Sequence, residues 1–301
     1  MKPIVVVGSY NTGLTMLVER LPLAGETLLG RGYSEGPGGK GSNQAVAAKR
    51  LGGRVSFVGC VGSDRRGDDA LALWRREGVD CTHVRRTGVH TGLGFVIVDR
   101  SGRNAITVDA GANLELNAED LRGAEPAISK AGVMLLQLEV PVDAVHEAAR
   151  LARRHGATVI LNPAPARPSG LDFGSFDILT PNEQEFEVLA GTGELDRGSS
   201  LLLSKGAKAV VVTLGERGAF VATASDSYTV PAPRVSVIDS TGAGDAFNGA
   251  LAVALSEGEP LRQAVTFANY AGALTVTRKE VIPALPRRTE VEEFRRNDVL
   301  E

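Results

Sequence analysis

The sequence predicts an α/β fold in which helices cover both faces of a mostly parallel central sheet, with a small β-sheet lid attached. From Asn117 onward, short apolar runs alternate with helical segments, an order that is typical of a parallel sheet. The first apolar run, Ile4–Val7, is continuous, as expected for a strand that is buried on both faces. The segments at about 10–36 and 88–110 instead contain short alternating pieces. We therefore predict one domain over 1–301 with a discontinuous lid, made by those two segments as an antiparallel sheet.

The composition excludes several classes of protein. The 301 residues carry a net charge of −3 and no stripe of Lys and Arg, so we expect no nucleic-acid partner. Cys60 and Cys81 are too few and too far apart for a metal clip or a disulfide framework, which favours a reducing compartment. The sequence shows neither a signal peptide before Ile4 nor an apolar run of membrane-spanning length. We expect a cytoplasmic protein that has no membrane partner.

In the first half of the chain, the predicted elements surround the two lid segments. A glycine-rich stretch from Gly36 to Gln44 precedes a helix, and Ser101-Gly102 marks a hairpin turn. The predicted elements are strand Ile4–Val7, a strand near Thr27–Tyr33, helix Ala45–Leu51, strand Val55–Cys60, helix Gly67–Glu77 and the paired strands Thr91–Asp99 and Asn104–Val108.

In the second half, strands and helices alternate regularly, and we find no internal repeat or linker. Asn117 and Asp120 resemble a capped helix start. The remaining predicted elements are strand Val133–Leu138, helix Val142–His155, strands Thr158–Leu161 and Asp177–Leu179, helices from Asn182 to Leu189 and Ser199 to Lys205, strand Ala209–Leu214, hairpin Ala219–Thr229, and helices Gly244–Glu257 and Leu261–Val276.

A β-branched run, a small glycine-rich turn and a helix follow one another around Gly242 and Gly244. Without a Cβ, these glycines let an anion approach the unbonded N–H groups of the helix start. Two interpretations of Asp245 compete. In one, it is an ordinary first-turn helix acid, with Ser240 or Thr241 as the N-cap. In the other, the amides hold charge on a transferring phosphoryl group while Asp245 takes the proton from the attacking hydroxyl.

Polar residues follow several predicted strands, at the sheet edge where ligands bind in folds of this kind. Asn182 and Glu185 lie three apart at a helix start, so they share a side and could hold a hydrated Mg²⁺; a cap plus an exposed acid is the alternative. Lys40, among glycines, could present a cation and close-approach amides to ligand oxygens, or it lies in a flexible loop. The four histidines show no metal-binding spacing.

Short polar and glycine-rich motifs recur in one order along the chain. They are Gly8-Ser9-x-Asn11, Gly38-Gly39-Lys40-Gly41-x-Asn43-Gln44-Ala45, Ala110-Gly111-Ala112-Asn113, Gln137-Leu138-Glu139, Asn162-Pro163-Ala164-Pro165-Ala166, Thr180-Pro181-Asn182-Glu183-x-Glu185, Thr213-Leu214-Gly215-x-Arg217-Gly218, Asp239-x-Thr241-Gly242-Ala243-Gly244-Asp245 and Val276-Thr277-Arg278-Lys279. Each motif is short, but the ordered set covers essentially the whole chain. Taken together, these motifs resemble the ribokinase family of the phosphofructokinase-B superfamily.

The resemblance implies a ribokinase-like three-layer sandwich that transfers the γ-phosphoryl group of ATP to a primary hydroxyl of ribose or a related sugar. It implies Asp245 as the general base and the amides of Gly242, Ala243 and Gly244 as an anion hole. The family's sugar-site positions correspond to Asn11, Gly13, Gly39, Lys40, Asn43, Glu139 and Asp245. Its nucleotide-site positions correspond to Asn182, Thr213, Gly215, Gly218, Gly244 and Asn269. Its metal positions correspond to Asn182 and Glu185 for Mg²⁺ and to Asp239 for an activating potassium ion.

The family also implies a lid that closes over the sugar and excludes water, and that often pairs two subunits. We therefore expect a homodimer through the β lid, with a sugar and ATP as small-molecule partners.

Two departures from the family pattern bear on substrate and cofactor. Gly13 stands where the family has an Asp that accepts hydrogen bonds from sugar hydroxyls. We therefore hypothesise that D-ribose is a poor substrate and that the true acceptor lacks a hydroxyl there or carries a larger group. Glu280 replaces a Gly and Ala284 a frequent Ser near the potassium site, which leaves potassium activation open.

Three functions remain in competition. A sugar kinase is the leading hypothesis, and a nucleoside kinase on the same scaffold is the second, because a nucleoside offers the same primary hydroxyl. A non-catalytic sugar- or nucleotide-binding protein is the third, although binding alone does not require a base such as Asp245. A nicotinamide oxidoreductase is disfavoured, because the first strand–helix turn lacks the glycine spacing of a dinucleotide site.

Overall fold

The computed structural model describes residues 1–166 and 170–298, and its strands form two sheets. The strands are β1 Ile4–Val7, β2 Asn11–Leu17, β3 Arg31–Gly38, β4 Val55–Gly62, β5 Asp80–Thr87, β6 Gly92–Val98, β7 Asn104–Asp109, β8 Val133–Gln137, β9 Thr158–Asn162, β10 Ile178–Leu179, β11 Ala209–Thr213, β12 Ala219–Thr223 and β13 Ser227–Val230. The helices are α1 Lys40–Arg50, α2 Arg65–Glu77, α3 Ala118–Gly123, α4 Glu125–Ile128, α5 Val142–Arg154, α6 Glu183–Ala190, α7 Leu195–Ser204, α8 Ala243–Glu257, α9 Leu261–Thr275, α10 Val281–Ala284 and α11 Arg288–Asp298. The predicted domain, 1–301, includes 167–169 and 299–301, which lie outside the described residues.

The larger sheet has nine strands in the order β13-β12-β11-β10-β9-β8-β1-β4-β5. β1 pairs in parallel with both β4 and β8, and the parallel pairing continues through β9 and β10 to β11. Only the hairpin β12–β13 introduces antiparallel pairs into this sheet. The prediction of a mostly parallel central sheet is confirmed.

The two faces of the larger sheet carry two separate apolar cores, because successive side chains of a strand point to opposite faces. In β1, Ile4 and Val6 belong to the core beneath α1, α2, α8 and α9, whereas Val5 and Val7 belong to the core beneath α5, α6 and α7. This double burial explains why the strands are continuous apolar runs. The three-layer arrangement follows directly from it.

The smaller sheet has four strands in the order β3-β2-β6-β7. The expectation of an antiparallel lid sheet is wrong at its centre, where β2 and β6 pair in parallel. The reason is that β2 follows β1 and β6 follows β5 after only a few residues, and β1 and β5 run in the same direction in the larger sheet. The strand expected near Thr27–Tyr33 lies later, as β3.

Helix α1 begins five residues before the predicted Ala45, at Lys40. Gly39 is its N-cap with φ 88°, and a Cβ on Gly41 would lie 2.5 Å from the backbone nitrogen of Ser9. The helix start is therefore pressed against the end of β1, and the alternative of a flexible loop around Lys40 is wrong. None of the helices described in 1–166 and 170–298 is long and apolar enough to cross a membrane.

Candidate active site

The carboxyl ends of the parallel strands meet at one edge of the larger sheet. The strand order reverses at β1, since β4 and β5 lie on one side of it and β8 to β11 on the other. A crevice for ligands is expected at such a reversal. Ser9 follows β1 and Glu139 follows β8 at this point, and the N-termini of α1 and α8 provide further polar groups.

Helix α8 begins directly after the glycine-rich turn. Its N-cap is Gly242, with φ 84°, so the interpretation with Ser240 or Thr241 as the N-cap is wrong. A Cβ on Gly242 would lie 2.8 Å from Cγ1 of Val281, whereas a Cβ on Gly244 would meet no atom of residues 1–166 and 170–298 within 4 Å. The turn is thus packed on one side and open on the other. First-turn N–H groups have no intrahelical acceptor, so the open side suits an anion.

Asp245 lies in the first turn of α8 but does not face solvent, since only 8% of its surface is exposed. Asn43 Nδ2 donates to its Oδ2 at 2.9 Å, and Gln44 Nε2 donates to its Oδ1 at 3.0 Å. Burial raises the pKa of Asp245 above its ordinary value, while Lys40 and the two amide donors oppose the rise. A buried, doubly hydrogen-bonded carboxyl differs from an ordinary exposed helix acid.

Lys40 supplies the positive charge of this region. Burial lowers the pKa of its ammonium group, but the negative charges of Asp245, Glu139 and Glu185 outweigh burial and hold the pKa above its ordinary value. Three carboxylates from three different elements therefore face one lysine. The structure brings these four predicted site residues together.

Glu139 is tied to the start of α1. Its Oε2 accepts hydrogen bonds from Ser9 Oγ at 2.5 Å and from the backbone nitrogen of Lys40 at 2.8 Å. Oε1 takes part in none of the hydrogen bonds found in 1–166 and 170–298, and so it is available to a ligand hydroxyl. Ser9 was not predicted as a site residue, although it belongs to the first motif.

Asn11 is oriented by a residue that the sequence analysis did not assign, Asn113. Asn113 Nδ2 donates to Asn11 Oδ1 at 2.8 Å and to the carbonyl oxygen of Tyr10 at 2.9 Å, and its Oδ1 accepts from the nitrogen of Tyr10. Because the carbonyl of Asn11 is engaged, its amide hydrogens remain to donate to a ligand. Gly39 is required beside it, since a Cβ there would lie 2.7 Å from the nitrogen of Asn11.

Gly13 lies two residues after Asn11 in β2 and therefore on the same face of the smaller sheet. It pairs with Gly36 on one side and Gly94 on the other, so that three neighbouring strands carry no side chain in this row. Among the residues that the structure describes, a Cβ on Gly13 would meet only the carbonyl oxygen of Gly36, at 3.6 Å, and a Cβ on either neighbour would meet nothing within 4 Å. The row leaves open space on the side of Asn11.

Asn182 and Glu185 form a capping box at the start of α6. Asn182 Oδ1 accepts from the nitrogen of Glu185 at 2.8 Å, and Glu185 Oε2 accepts from the nitrogen of Asn182 at 2.9 Å. Burial raises the pKa of Glu185, and Lys40 opposes the rise. Residues 1–166 and 170–298 contain no cluster of three or more His, Cys, Asp and Glu arranged for a metal. One free oxygen on Glu185 fits a hydrated Mg²⁺, which binds few protein groups directly.

The predicted nucleotide residues lie at the next strand ends. Thr213 ends β11 and forms a bridge with Asn182. Gly215 has φ 59°, and no atom of the described residues lies within 4 Å of its Cβ position. A Cβ on Gly218 would lie 2.0 Å from the carbonyl oxygen of Val230, and Asn269 Nδ2 donates to that same oxygen at 2.9 Å. These contacts link Thr213 to Asn182, and they link Asn269 to the backbone beside Gly218 through Val230.

Asp239 holds the turn before α8. Its Oδ1 accepts from the nitrogen and the hydroxyl of Thr241, and its Oδ2 accepts from the nitrogen of Glu280 at 3.3 Å. Burial raises the pKa of Asp239, but these hydrogen bonds outweigh burial and hold it below its ordinary value. Oδ1 thus orders the turn, while Oδ2 accepts one long hydrogen bond and keeps acceptor capacity.

The fold and this site define an ATP-dependent carbohydrate kinase of the ribokinase-like type. The chain belongs to the pfkB family of carbohydrate kinases, which it matches over residues 1–288. It is 39% identical over 300 residues to a ribokinase of Haemophilus influenzae, a match that covers 97% of this chain and 98% of that protein.

Solved structures give the same result. A ribokinase from Thermotoga maritima superposes with a TM-score of 0.90 at 36% identity, covering 98% of this chain and 100% of the other. Arabidopsis thaliana ribokinase, determined in complex with ribose and ATP, superposes with a TM-score of 0.86 at 32% identity, covering 97% and 98% of the two chains. The ribokinase-like fold expected from the motifs is confirmed.

Proposed function

We propose that this kinase phosphorylates a primary hydroxyl of ribose or a closely related sugar, with Asp245 as the general base. The observation that carries the proposal is the buried carboxylate at the N-terminus of α8, beside the open glycine turn and Lys40. Asn43 Oδ1 is buried and has no hydrogen-bond partner in the described part of the chain, so it suits a sugar hydroxyl. The ribose and ATP bound by the Arabidopsis relative support the same pair of substrates.

In the proposed reaction, the hydroxyl oxygen of the sugar forms a bond to the γ-phosphorus of ATP. The bond between that phosphorus and the β–γ bridging oxygen breaks, and ADP leaves with its electrons. Asp245 takes the hydroxyl proton as the new bond forms. We assign to the amides of Gly242, Ala243 and Gly244 the role of holding the charge that develops on the transferring group. The amide of Ala243 also donates to the carbonyl oxygen of Ser240, at 3.3 Å.

Glu185 and Asn182 would hold Mg²⁺ through its water shell, and the ion would neutralise phosphate charge when bound. Thr213, Gly215 and Gly218 would line the nucleotide, with Asn269 fixing the wall behind Gly218. Asp239 orders the turn before α8, and we derive no step through potassium.

Replacing Asp245 tests the base. Asp245→Asn keeps the size of the side chain and removes the proton acceptor, so kcat should fall by roughly 10²–10⁴. ADP release with Mg-ATP is measured against pentoses, 2-deoxyribose, hexoses, sugar acids and nucleosides, with and without potassium. The matched control is Asp177→Asn. Asp177 is a buried residue whose carboxylate accepts a hydrogen bond from the nitrogen of Val159, and it lies before β10, at the edge of the larger sheet opposite the site. Full activity of Asp245→Asn would exclude Asp245 as the general base.

The open row at Gly13, Gly36 and Gly94 supports an acceptor that differs from ribose at this place. The proposed acceptor lacks the hydroxyl that an acidic side chain would bind, or it carries a larger group at this place. A nucleoside is the larger alternative, and the same open space favours it as the second candidate function.

Gly13→Asp tests the acceptor hypothesis. The Cβ of the new side chain would make only an ordinary contact, 3.6 Å from the carbonyl oxygen of Gly36, so the fold should tolerate the replacement. A hydrogen bond to a charged group contributes about 1.5–3 kcal/mol, so kcat/KM for ribose should rise about 10- to 100-fold. In the same ADP-release panel, turnover of the natural acceptor should fall. Gly36→Ala is the control for lost space alone. If ribose is already the best acceptor of the unchanged protein, the hypothesis is refuted.

We further propose a cytoplasmic homodimer that associates through the smaller sheet. Leu14 and Met16 lie on the face opposite Asn11, and they pair with Phe95 and Ile97 across β2 and β6. Met16, Phe95 and neighbouring Tyr33 are 38%, 48% and 60% exposed, so a second copy would cover an apolar face.

A further inference from the structure

Three buried amide side chains form a chain that ends on Asp245. Gln44, which is fully buried, donates from Nε2 to Asp245 Oδ1 at 3.0 Å and to Asn162 Oδ1 at 3.1 Å. Its Oε1 accepts from Gln137 Nε2 at 2.6 Å. Both amide hydrogens and the carbonyl oxygen of Gln44 are therefore engaged.

The direction of this chain is fixed by the backbone. The two ends of an amide group have the same outline, so neighbouring groups must decide which end carries the hydrogens. Asn162 Nδ2 donates to the carbonyl oxygen of Thr180 at 2.9 Å, and a backbone carbonyl only accepts. Asn162 must therefore present its oxygen to Gln44, and Gln44 must present its N–H groups to Asn162 and Asp245.

Thr180 also connects the chain to the first turn of α8. Its hydroxyl donates to Asn248 Oδ1 at 2.6 Å, and Asn248 Nδ2 donates to the carbonyl oxygen of Gly244 at 2.8 Å. The strand ends of β9 and β10 thus hold the backbone of the turn as well as the side chain of Asp245.

We propose that Gln44 is a positioning residue for the phosphoryl transfer. Asn162 holds the N–H of Gln44 towards Asp245 Oδ1, and this hydrogen bond keeps the Asp245 side chain ionised and correctly rotated to accept a proton. Asn43, the preceding residue of α1, holds Oδ2 in the same way. With one donor on each oxygen, the carboxylate plane is fixed. This inference rests on the proposed role of Asp245 as the base.

The charged surroundings of Asp245 give this donor its importance. Lys40 from α1 favours the ionised form, Glu139 after β8 disfavours it, and Glu185 in α6 is close enough to interact with both Lys40 and Asp245. If the carbonyl oxygen of Gln44 faced Asp245 Oδ1 in place of the N–H, two acceptors would meet in a buried site without a hydrogen, which is unfavourable.

Two replacements of Gln44 separate its hydrogen bond from its packing. Gln44→Met has a similar length and no donor, and Gln44→Glu has the same shape with an oxygen in place of the NH₂ group. In protein labelled with ¹³C-carboxyl aspartate, the Asp245 resonance is assigned by its loss in Asp245→Asn and followed through a pH titration. Loss of a charged hydrogen bond should raise its protonation midpoint by about one to two pH units in Gln44→Met. Gln44→Glu should raise it further.

Two more variants guard against an effect of folding alone. Leu202→Ala removes a fully buried side chain of α7 in the other core, and the midpoint of Asp245 should stay unchanged. Asn162→Ala leaves Gln44 in place but removes the group that orients its amide, so a smaller upward shift of the Asp245 midpoint is expected. This variant replaces Gln44→Met in the test if Gln44→Met does not fold. A midpoint that stays at the wild-type value in Gln44→Met, or in Asn162→Ala if the first does not fold, overturns the proposal.

Turnover separates this proposal from that of the base. The probes are Mg-ATP and the sugar or nucleoside with the highest turnover in the ADP-release panel. With them, kcat of Gln44→Met should be lower than that of the unchanged protein at neutral pH and should recover as the pH rises, while KM for ATP stays unchanged. If Asp245→Asn stays active while the resonance shifts, the base assignment fails and the positioning of the carboxylate stands. If Asp245→Asn is inactive and the resonance does not shift, only the role of Gln44 fails.

Discussion

At the scale of single residues, Glu280 has a backbone conformation that side chains rarely adopt. Its φ is 65° and its ψ is 166°, and it is the one non-glycine residue with positive φ in the described chain. This region of φ and ψ is almost restricted to glycine and costs on the order of 1–3 kcal/mol for other residues. The position coincides with the place where the sequence departs from a family glycine. The N–H of Glu280 donates to Asp239, which holds the turn that precedes α8.

Glu280→Gly should therefore raise the free energy of unfolding by about 1 kcal/mol or more, because it relieves the strain and keeps the N–H. Glu280→Ala is the control, since it removes the same charge and keeps the strain. Urea unfolding of the three proteins gives the comparison. Equal stability of the Gly and Ala variants would show that the backbone is not strained at this position.

At the scale of elements, two helices in the described part of the chain begin with a capping box. Asn182 with Glu185 begins α6 at the site, and Asn117 with Asp120 begins α3 away from it. Each satisfies two N–H groups of its helix start. Both boxes join an Asn to an acidic residue, although Asp120 also accepts hydrogen bonds from Arg85. A kinetic difference between them therefore reports what the position of α6 at the site adds.

Asn182→Ala and Asn117→Ala should each lower the free energy of unfolding by about 1 kcal/mol, the usual cost of a lost cap. Only Asn182→Ala should also raise KM for Mg-ATP and the concentration of Mg²⁺ needed for half-maximal rate. Steady-state kinetics over a magnesium series measures both. Similar kinetic changes in the two variants would remove the case for a metal role of Asn182.

At the scale of the whole molecule, the smaller sheet has two faces with different roles. Asn11 and Gly13 lie on the face of the site, and Leu14, Met16 and Phe95 lie on the other. A stable dimer buries roughly 800 Å² on each partner, which a four-stranded sheet can supply. An apolar outer face is therefore the expected contact between two copies.

Phe95→Asp should convert a dimer into a monomer, because it places a charge in the centre of the proposed contact. Ile106→Asp is the matched control: Ile106 pairs with Val96, lies on the opposite face of the same sheet and is 57% exposed. Sedimentation velocity at micromolar concentration gives the oligomeric state. A monomeric unchanged protein, or dissociation in the control alone, contradicts the proposed contact.

Periodicity in the sequence predicted the larger sheet well, because its strands are buried on both faces and read as continuous apolar runs. It failed for β5, whose Asp80–Thr87 stretch is polar and which no pattern marked as a strand. It also placed the start of α1 at Ala45 instead of Lys40, since glycines at 39 and 41 predict a loop. Their small size is used instead for close packing against the end of β1.

The sequence by itself determined the fold class, the family and most of the candidate site residues, because ordered motifs and buried strands leave local patterns. Tertiary structure alone decided which polar groups meet. Asp245 and Gln44 are 201 residues apart, and nothing local to either shows that one donates to the other. The parallel pairing of β2 with β6 likewise depends on where β1 and β5 end. Contacts between distant segments are set by the packing of the whole chain, and so no local pattern encodes them.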